Sequence, residues 1–284
     1  MKTNPKTVCG AIAAVLMMFL IPAQGGTGRR FVSFDYPRAI DTEAASITPG
    51  GDIVGRYTGS DGVVHGFLRS QGQFSSIDVP GATLTVAAWV NPDGLIVGGF
   101  SRADGVLHGF LLNTGKFTTI DYPSAQFTIA YGISPTGDIV GIEADQSGTV
   151  HGFLLRNGKF RAINYPGASA TLPTMMIGDR IVGGYFDDAG VQGFLLSRGH
   201  FQGIDCPGYT NLFLSGLNPI GELTGGFNSA DGHQHGALVH DGVCTQIDFP
   251  GSTSTYTNAA IPGGNMVGRY TSPDGVVHAY LLRR

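Results

Sequence analysis

Charge is scarce in this chain. Asp, Glu, Lys and Arg together make up 13% of its 284 residues, and the net charge is −4. Nucleic-acid recognition calls for a clustered basic face, which this balance argues against. Long apolar runs are missing with one exception, Val8 to Ile21, preceded by Lys2 and Lys6 and followed by Pro22, Ala23, Gln24 and Gly25. That order of a short positive stretch, an apolar stretch and small residues reads as a signal peptide over 1–25. The run is short of the about 20 apolar residues that a membrane span needs, and Cys9 lacks the Leu-x-x-Cys setting of a lipid anchor. An exported chain, extracellular or periplasmic, is the expectation. Its mature form keeps 15 basic against 21 acidic residues, a net −6. Later segments offer no apolar stretch for a membrane and no helical apolar period. Ser–His–Asp, Gly-x-Ser-x-Gly, phosphate-loop and His-Glu-x-x-His patterns are missing as well.

Glycine is abundant, with 45 residues, and a repeat accounts for it. FSSIDVPG at Phe74 recurs as FTTIDYPS at Phe117, FRAINYPG at Phe160 and FQGIDCPG at Phe201, with FVSFDYPR at Phe31 and CTQIDFPG at Cys244. The central Asp falls at 35, 78, 121, 164 (as Asn), 205 and 248, in steps of 43, 43, 43, 41 and 43. His65, His108, His151, Gln192, His235 and His278 keep the same beat, as do IVG-like triplets from Ile53 to Met266. Each unit holds four strand-like runs split by Pro and Gly, read here as A (FTIAYGI), B (DIVGI), C (VHGFLL) and D (KFRAINY). About 43 residues with four strands is the size of a propeller blade. The mature chain starts with a D-type run and ends with a C-type run. An N-terminal strand over 31–36 that pairs with His278 to Leu282 would therefore complete the last blade and close a six-bladed all-β propeller, hiding its edges.

GISPTGDIVG followed by VHGFLLRNGKF, repeated over 31–284, resembles the extracellular HAF-repeat family, named for a His-Ala-Phe triplet. The triplet here is HGF in three units, QGF at Gln192, HGA at His235 and HAY at His278, and the D run ends in IDYPG. The resemblance implies a secreted, propeller-like protein and brings no catalytic residues with it.

The C–D loops Gln71-Gly72, Thr114-Gly115, Asn157-Gly158, Arg198-Gly199 and Asp241-Gly242 read as two-residue hairpin turns. Around such turns His65 faces Asp78, His108 faces Asp121, and His235 faces Asp248, which makes these structural pairs; a rival arrangement sets the Asp of one blade against the His of the next. Six copies spread round a ring do not converge on a metal, and no cofactor is expected. Asp61, Asp104, Asp231 and Asp274 in Asp-Gly pairs suit B–C turns better than calcium. Thr42, Thr85, Thr128, Thr171 and Thr255, with Leu212 as the sixth, would fill A strands or ring the channel mouth. Off-pattern acids are Asp41, Glu43, Glu143, Asp187 and Asp188, and Glu143 stands where other units have an aromatic.

Tight turns occupy one face, so a ligand site is expected on the other. There Tyr57, Phe100, Tyr185, Phe227 and Tyr270 end the B strands, with Arg56 and Arg269 from blades that closure makes neighbours. Arg56, Tyr57, Glu143, Tyr185, Arg269 and Tyr270 form the candidate site, fit for a glycan with acidic groups, although the aromatics would serve equally to pack blade on blade. Cys206 and Cys244, at opposite ends of neighbouring outer strands, are expected to stay unbridged. The leading reading is a secreted, monomeric, non-catalytic propeller that binds carbohydrate or an extracellular protein. The alternative is a glycan-active hydrolase or lyase, which would gather acids or histidines in one pocket.

Overall fold

The computed structural model describes residues 29–284; the expected leader over 1–25 lies outside them. Blade 1 shows the pattern, with A Asp41–Ile47, B Ile53–Thr58, C Val64–Ser70 and D Gln73–Ile77 hydrogen-bonded in that order, all antiparallel. Blades 2 to 5 repeat it over 84–120, 127–163, 170–204 and 210–247. Blade 6 takes A, B and C from 254–283 and its outer strand from Arg30–Phe34. Phe31 pairs with Leu282 and Phe34 with Ala279, so the ring closes as the phase of the termini requires. The protein is a six-bladed β-propeller.

The repeated glycines have steric reasons. Each A strand carries a β-bulge, as between Ala44 and Ser46. The IVG glycine sits opposite, where a Cβ on Gly55 would collide with the Glu43 carbonyl. The HGF glycine faces the next blade: a Cβ on Gly66 would lie 3.2 Å from the Ala87 nitrogen. The following aromatic is then free to fill the blade interior, and Phe67, Phe110, Phe153, Phe194 and Tyr280 are completely buried. In every C–D loop both residues have positive φ, for instance 51° at Asn157 and 72° at Gly158, which is the twist-matched two-residue hairpin.

The five threonines do not ring the channel. Each is buried, and its Oγ1 accepts the backbone N–H of the residue after the D-strand acid position: Tyr36 to Thr42 at 3.0 Å, Val79 to Thr85 at 3.1 Å, Tyr122 to Thr128 at 2.9 Å, Tyr165 to Thr171 at 2.8 Å and Phe249 to Thr255 at 3.0 Å. This clasp ties each D–A connection to the blade that it enters. Leu212 cannot offer it, and there the chain uses another device.

Cys206 and Cys244 are bridged, with Cα atoms 5.7 Å apart, which corrects the expectation of two free thiols. The outer strands do splay, but the residue after the D-strand acid position has already left its own sheet and leans on the next blade. Tyr36 meets Phe74 at 5.3 Å, Tyr122 meets Phe160 at 5.0 Å and Tyr165 meets Phe201 at 5.1 Å, each edge to face. Cys206 and Cys244 occupy those same two positions, so the disulfide stands in for an aromatic contact between blades.

Two expected outcomes follow. Deleting residues 29–37 removes the outer strand of blade 6 together with Phe31, which packs on Phe249 and Tyr280; the thermal midpoint should fall by well over 10 °C, and a melt like that of the parent contradicts strand closure. Changing both Cys206 and Cys244 to Ser should lower unfolding stability by up to about 4 kcal/mol, the loop-entropy value for a bridge of this span, while adding a reductant to that variant should change nothing further.

Candidate functional site

The His–Asp pairs lie within hairpins, as the turn symmetry requires, and the rival cross-blade pairing does not occur. Nδ1 of His65 is 2.7 Å from Asp78, that of His108 is 2.8 Å from Asp121, that of His235 is 2.9 Å from Asp248, and His278 reaches Asp35 across the closure at 2.9 Å. In blade 3 the pair is His151 with Asn164 at 3.1 Å. The imidazoles also lie along the B-strand aromatics, with Tyr57 to His65 at 5.0 Å and Tyr270 to His278 at 5.1 Å between centroids. Each B–C turn aspartate accepts its own turn's N–H, at 3.0 Å from Val63 to Asp61 and 3.1 Å from Val106 to Asp104. That is Asx-turn chemistry.

The B-strand aromatics are not an open platform. Tyr57 stacks on Tyr36 at 3.6 Å, Tyr185 on Tyr165 at 3.7 Å and Tyr270 on Phe249 at 3.6 Å, all with nearly parallel rings. Phe100 and Phe227 are fully buried. The faces expected to receive a sugar are thus covered by the preceding D–A connection. Desolvation raises the phenols of Tyr57 and Tyr185 to about 12.

Arg56 and Arg269 do become neighbours, and Glu43 is the reason. Its carboxylate accepts from Arg56 Nε at 3.1 Å and Arg269 Nη1 at 2.7 Å, and Asn258 Nδ2 adds a bond at 3.2 Å. Asp41 takes a further Arg56 contact at 3.4 Å, so two cations meet two carboxylates. This network lines a cavity of about 180 Å³ in the central channel, whose other walls include Val86, Tyr131, Phe213 and Ser215. In blades 2, 4 and 5 the arginine position is Gly99, Gly184 or Gly226, and the next blade's Ile129, Phe213 or Tyr256 packs there instead. The arginine pair therefore seals the blade 6–blade 1 seam, and its charge is already matched.

Glu143 is buried, at 5% exposure, and has no hydrogen-bond partner among the described residues. It faces Thr128 on one side and His151 on the other in register. Burial raises its carboxyl pKa, opposed by His151. His151 has acceptors at both ring nitrogens, Asn164 and, at 3.2 Å, Asp145, and hydrogen bonding to them raises its pKa against the lowering effect of burial. Asp187 and Asp188 sit apart, exposed at the blade 4 B–C turn. Among the described residues no group of three or more His, Cys, Asp or Glu is placed to hold a metal ion.

Open pockets occur instead between blades. One of about 280 Å³ is bordered by Val63, His65, Asp78 and Pro80, and its counterpart one blade on, of about 300 Å³, by Val106, His108, Asp121 and Pro123. Both are on the face of the B–C and D–A connections. Each offers an imidazole, a carboxylate and a proline-bearing turn to the solvent. Identical repeat positions build both, which is the signal in the sequence that could have located them.

No family model and no curated protein matches the sequence. Solved structures do. AofleA from Arthrobotrys oligospora is 13% identical with a TM-score of 0.58, over 92% of this chain and 88% of that one. The fucose-specific lectin from Aleuria aurantia is 12% identical with a TM-score of 0.54, over 88% and 93%. TolB from Acinetobacter baumannii is 11% identical with a TM-score of 0.56, over 86% and 63%. At these identities the likeness is one of fold.

Two substitutions separate the roles described. Glu43→Gln strips Arg269 of its counter-charge and leaves Arg56 with Asp41 alone. The arginines are about one third exposed, so solvent screening limits the loss to about 1–3 kcal/mol of stability by denaturant unfolding. Glu143→Gln should have the opposite sign. A carboxyl whose pKa is raised on folding stabilises the fold only below its unfolded pKa, and that contribution is lost as pH rises through the folded value. The Gln variant should gain in thermal midpoint relative to the parent at pH 7 and lose that advantage at pH 4.

Proposed function

We propose that the protein is an exported, non-catalytic propeller that binds carbohydrate through the repeated pockets between its blades. One observation carries this reading: equivalent open pockets at successive blade junctions, each combining a His–Asp pair with a small apolar turn. A hydroxyl-rich ring suits such a wall, because imidazole and carboxylate supply a donor and an acceptor side by side. Repetition round a ring favours a polymer or a surface that offers several copies of one sugar. The fold it shares with a fucose-specific lectin supports this direction, as does the HAF-repeat resemblance for export. A hydrolase or lyase finds less support, since one close pair of carboxylates, Asp41 and Glu43, is neutralised by arginines.

A glycan array probed with the protein lacking residues 1–25 identifies the sugar. Val63→Trp and Val106→Trp then fill the two pockets while leaving His65 and His108 in place. The thermal midpoint should stay within about 2 °C of the parent, and calorimetry with the array-identified sugar should show fewer sites and at least tenfold weaker binding to a multivalent form. An empty array, or unchanged binding by the double variant, overturns the assignment.

A further inference from the structure

Blade 4 departs from the repeat in length, and its junction with blade 3 departs in charge. The A–B connection runs over five residues in the other blades, as at Thr48–Asp52 and Ser134–Asp138, but only Gly178 and Asp179 separate Ile177 from Arg180. The shortening supplies one of the two residues missing from the 41-residue step, since Ile139 to Ile181 spans 42; the other is lost from the B–C turn, where Ile181 to Gln192 spans 11 against 12 from Ile139 to His151. Beside the shortened turn, on the face opposite the repeated pockets, lies a groove of about 320 Å³, within the range of about 300–1,000 Å³ typical of ligand sites. Leu154, Met176 and Phe201 line its apolar part, and Arg156, Arg161 and Arg198 its rim.

Two of the arginines, Arg161 and Arg198, have no counterpart in the other C–D hairpins, whereas Arg156 has one in Arg283. At the Arg161 position the other blades have Val32, Ser75, Thr118, Gln202 and Thr245, and at the Arg198 position Gln71, Thr114, Asn157 and Asp241. Their charge is only partly answered. Arg156 pairs with Asp138 at 2.9 Å, and Arg198 makes a long 3.9 Å contact with Asp179 between side chains that are 88% and 62% exposed. Arg161 is exposed and has no acidic partner among the described residues. Three cations against two carboxylates leave a positive groove on a chain whose net charge is negative. Packing does not call for this, because Ser, Thr and Gln serve at the same place in other blades. Guanidinium groups spread along an apolar-floored groove fit planar or tetrahedral oxyanions held on a ring or chain.

We infer that the groove between blades 3 and 4 binds an anionic polysaccharide, its carboxylate or sulfate groups on Arg161, Arg198 and Arg156 and its sugar rings over the apolar floor. Charge complementarity chooses this occupant, and the site is separate from the repeated pockets of the opposite face. Surface-immobilised protein lacking residues 1–25 should bind polygalacturonate and dextran sulfate but not neutral dextran, and binding should weaken as salt rises. Arg161→Ala with Arg198→Ala should lower the affinity at least tenfold at an unchanged thermal midpoint. Lys116→Ala with Arg102→Ala, an equal loss of charge on blade 2, should have little effect. The pocket-filling pair Val63→Trp and Val106→Trp should bind both polyanions normally, so failure of one site is distinguishable from failure of the other. Equal loss in the blade 2 variant, undiminished binding by the groove variant, or equally tight binding of single-stranded DNA overturns the inference.

Discussion

Each blade is held to the next by one residue that leaves its own sheet. It follows the D-strand Asp or Asn, and it is Tyr36, Val79, Tyr122, Tyr165, Cys206 or Phe249. Isolated four-stranded blades have two apolar faces and cannot bury both alone. The crossing residue presses on the following blade's B and D strands, and except at Leu212 a threonine clasp fixes its backbone. Much of the remaining chemistry answers to this contact. The stacked tyrosines exist because the crossing ring needs a partner; where the crossing residue is not an aromatic, Val79 is simply buried and Cys206 is bridged to Cys244. At the last junction the same contact comes from the N-terminal segment, so ring closure uses no special device beyond the Glu43 network.

Periodicity made the architecture legible. Four runs per unit, glycine at the second position of each two-residue hairpin loop and the phase of the termini sufficed for blade number, strand order and closure, and the hairpin symmetry placed His65 on Asp78. The readings that failed concern relations between blades. Aromatics at the ends of B strands look exposed when one blade is considered alone, and only the crossing residue of the preceding connection covers them. Cys206 and Cys244 seemed far apart for the same reason. Their separation of 38 residues also separates Tyr36 from Phe74 and Tyr122 from Phe160, so two repeat positions that carry aromatics together elsewhere carry cysteines together here. That co-variation within one chain was readable, but it means a contact only once the D–A connection is known to cross.

Departures from the repeat divide by what their neighbours do with them. Glu43, Arg56 and Arg269 answer one another, and the cysteines answer one another, so each set repairs a junction. Glu143 is different, because it replaces an aromatic at little structural gain: Tyr122 loses a stacking partner, and burial raises the carboxyl's pKa with His151 opposing it. A local rule broken without a structural gain is where selection for something other than stability is to be sought. The arginines of the blade 3–4 groove meet the same test, and they border the same blade 3.

Symmetry also limits what such a scaffold can do well. A pocket assembled from repeat positions is duplicated at other junctions, and its His–Asp wall must also hold the hairpin together, so its polar groups are not free to be optimised for tight binding at one place. Affinity then has to come from engaging several junctions together, which rewards a ligand with regular spacing. A groove that exists once, beside a shortened turn, has no such restriction and can specialise. On the proposed reading the two faces divide the work accordingly: repeated weak pockets on one, and on the other a single charged groove that sets which polymer is held.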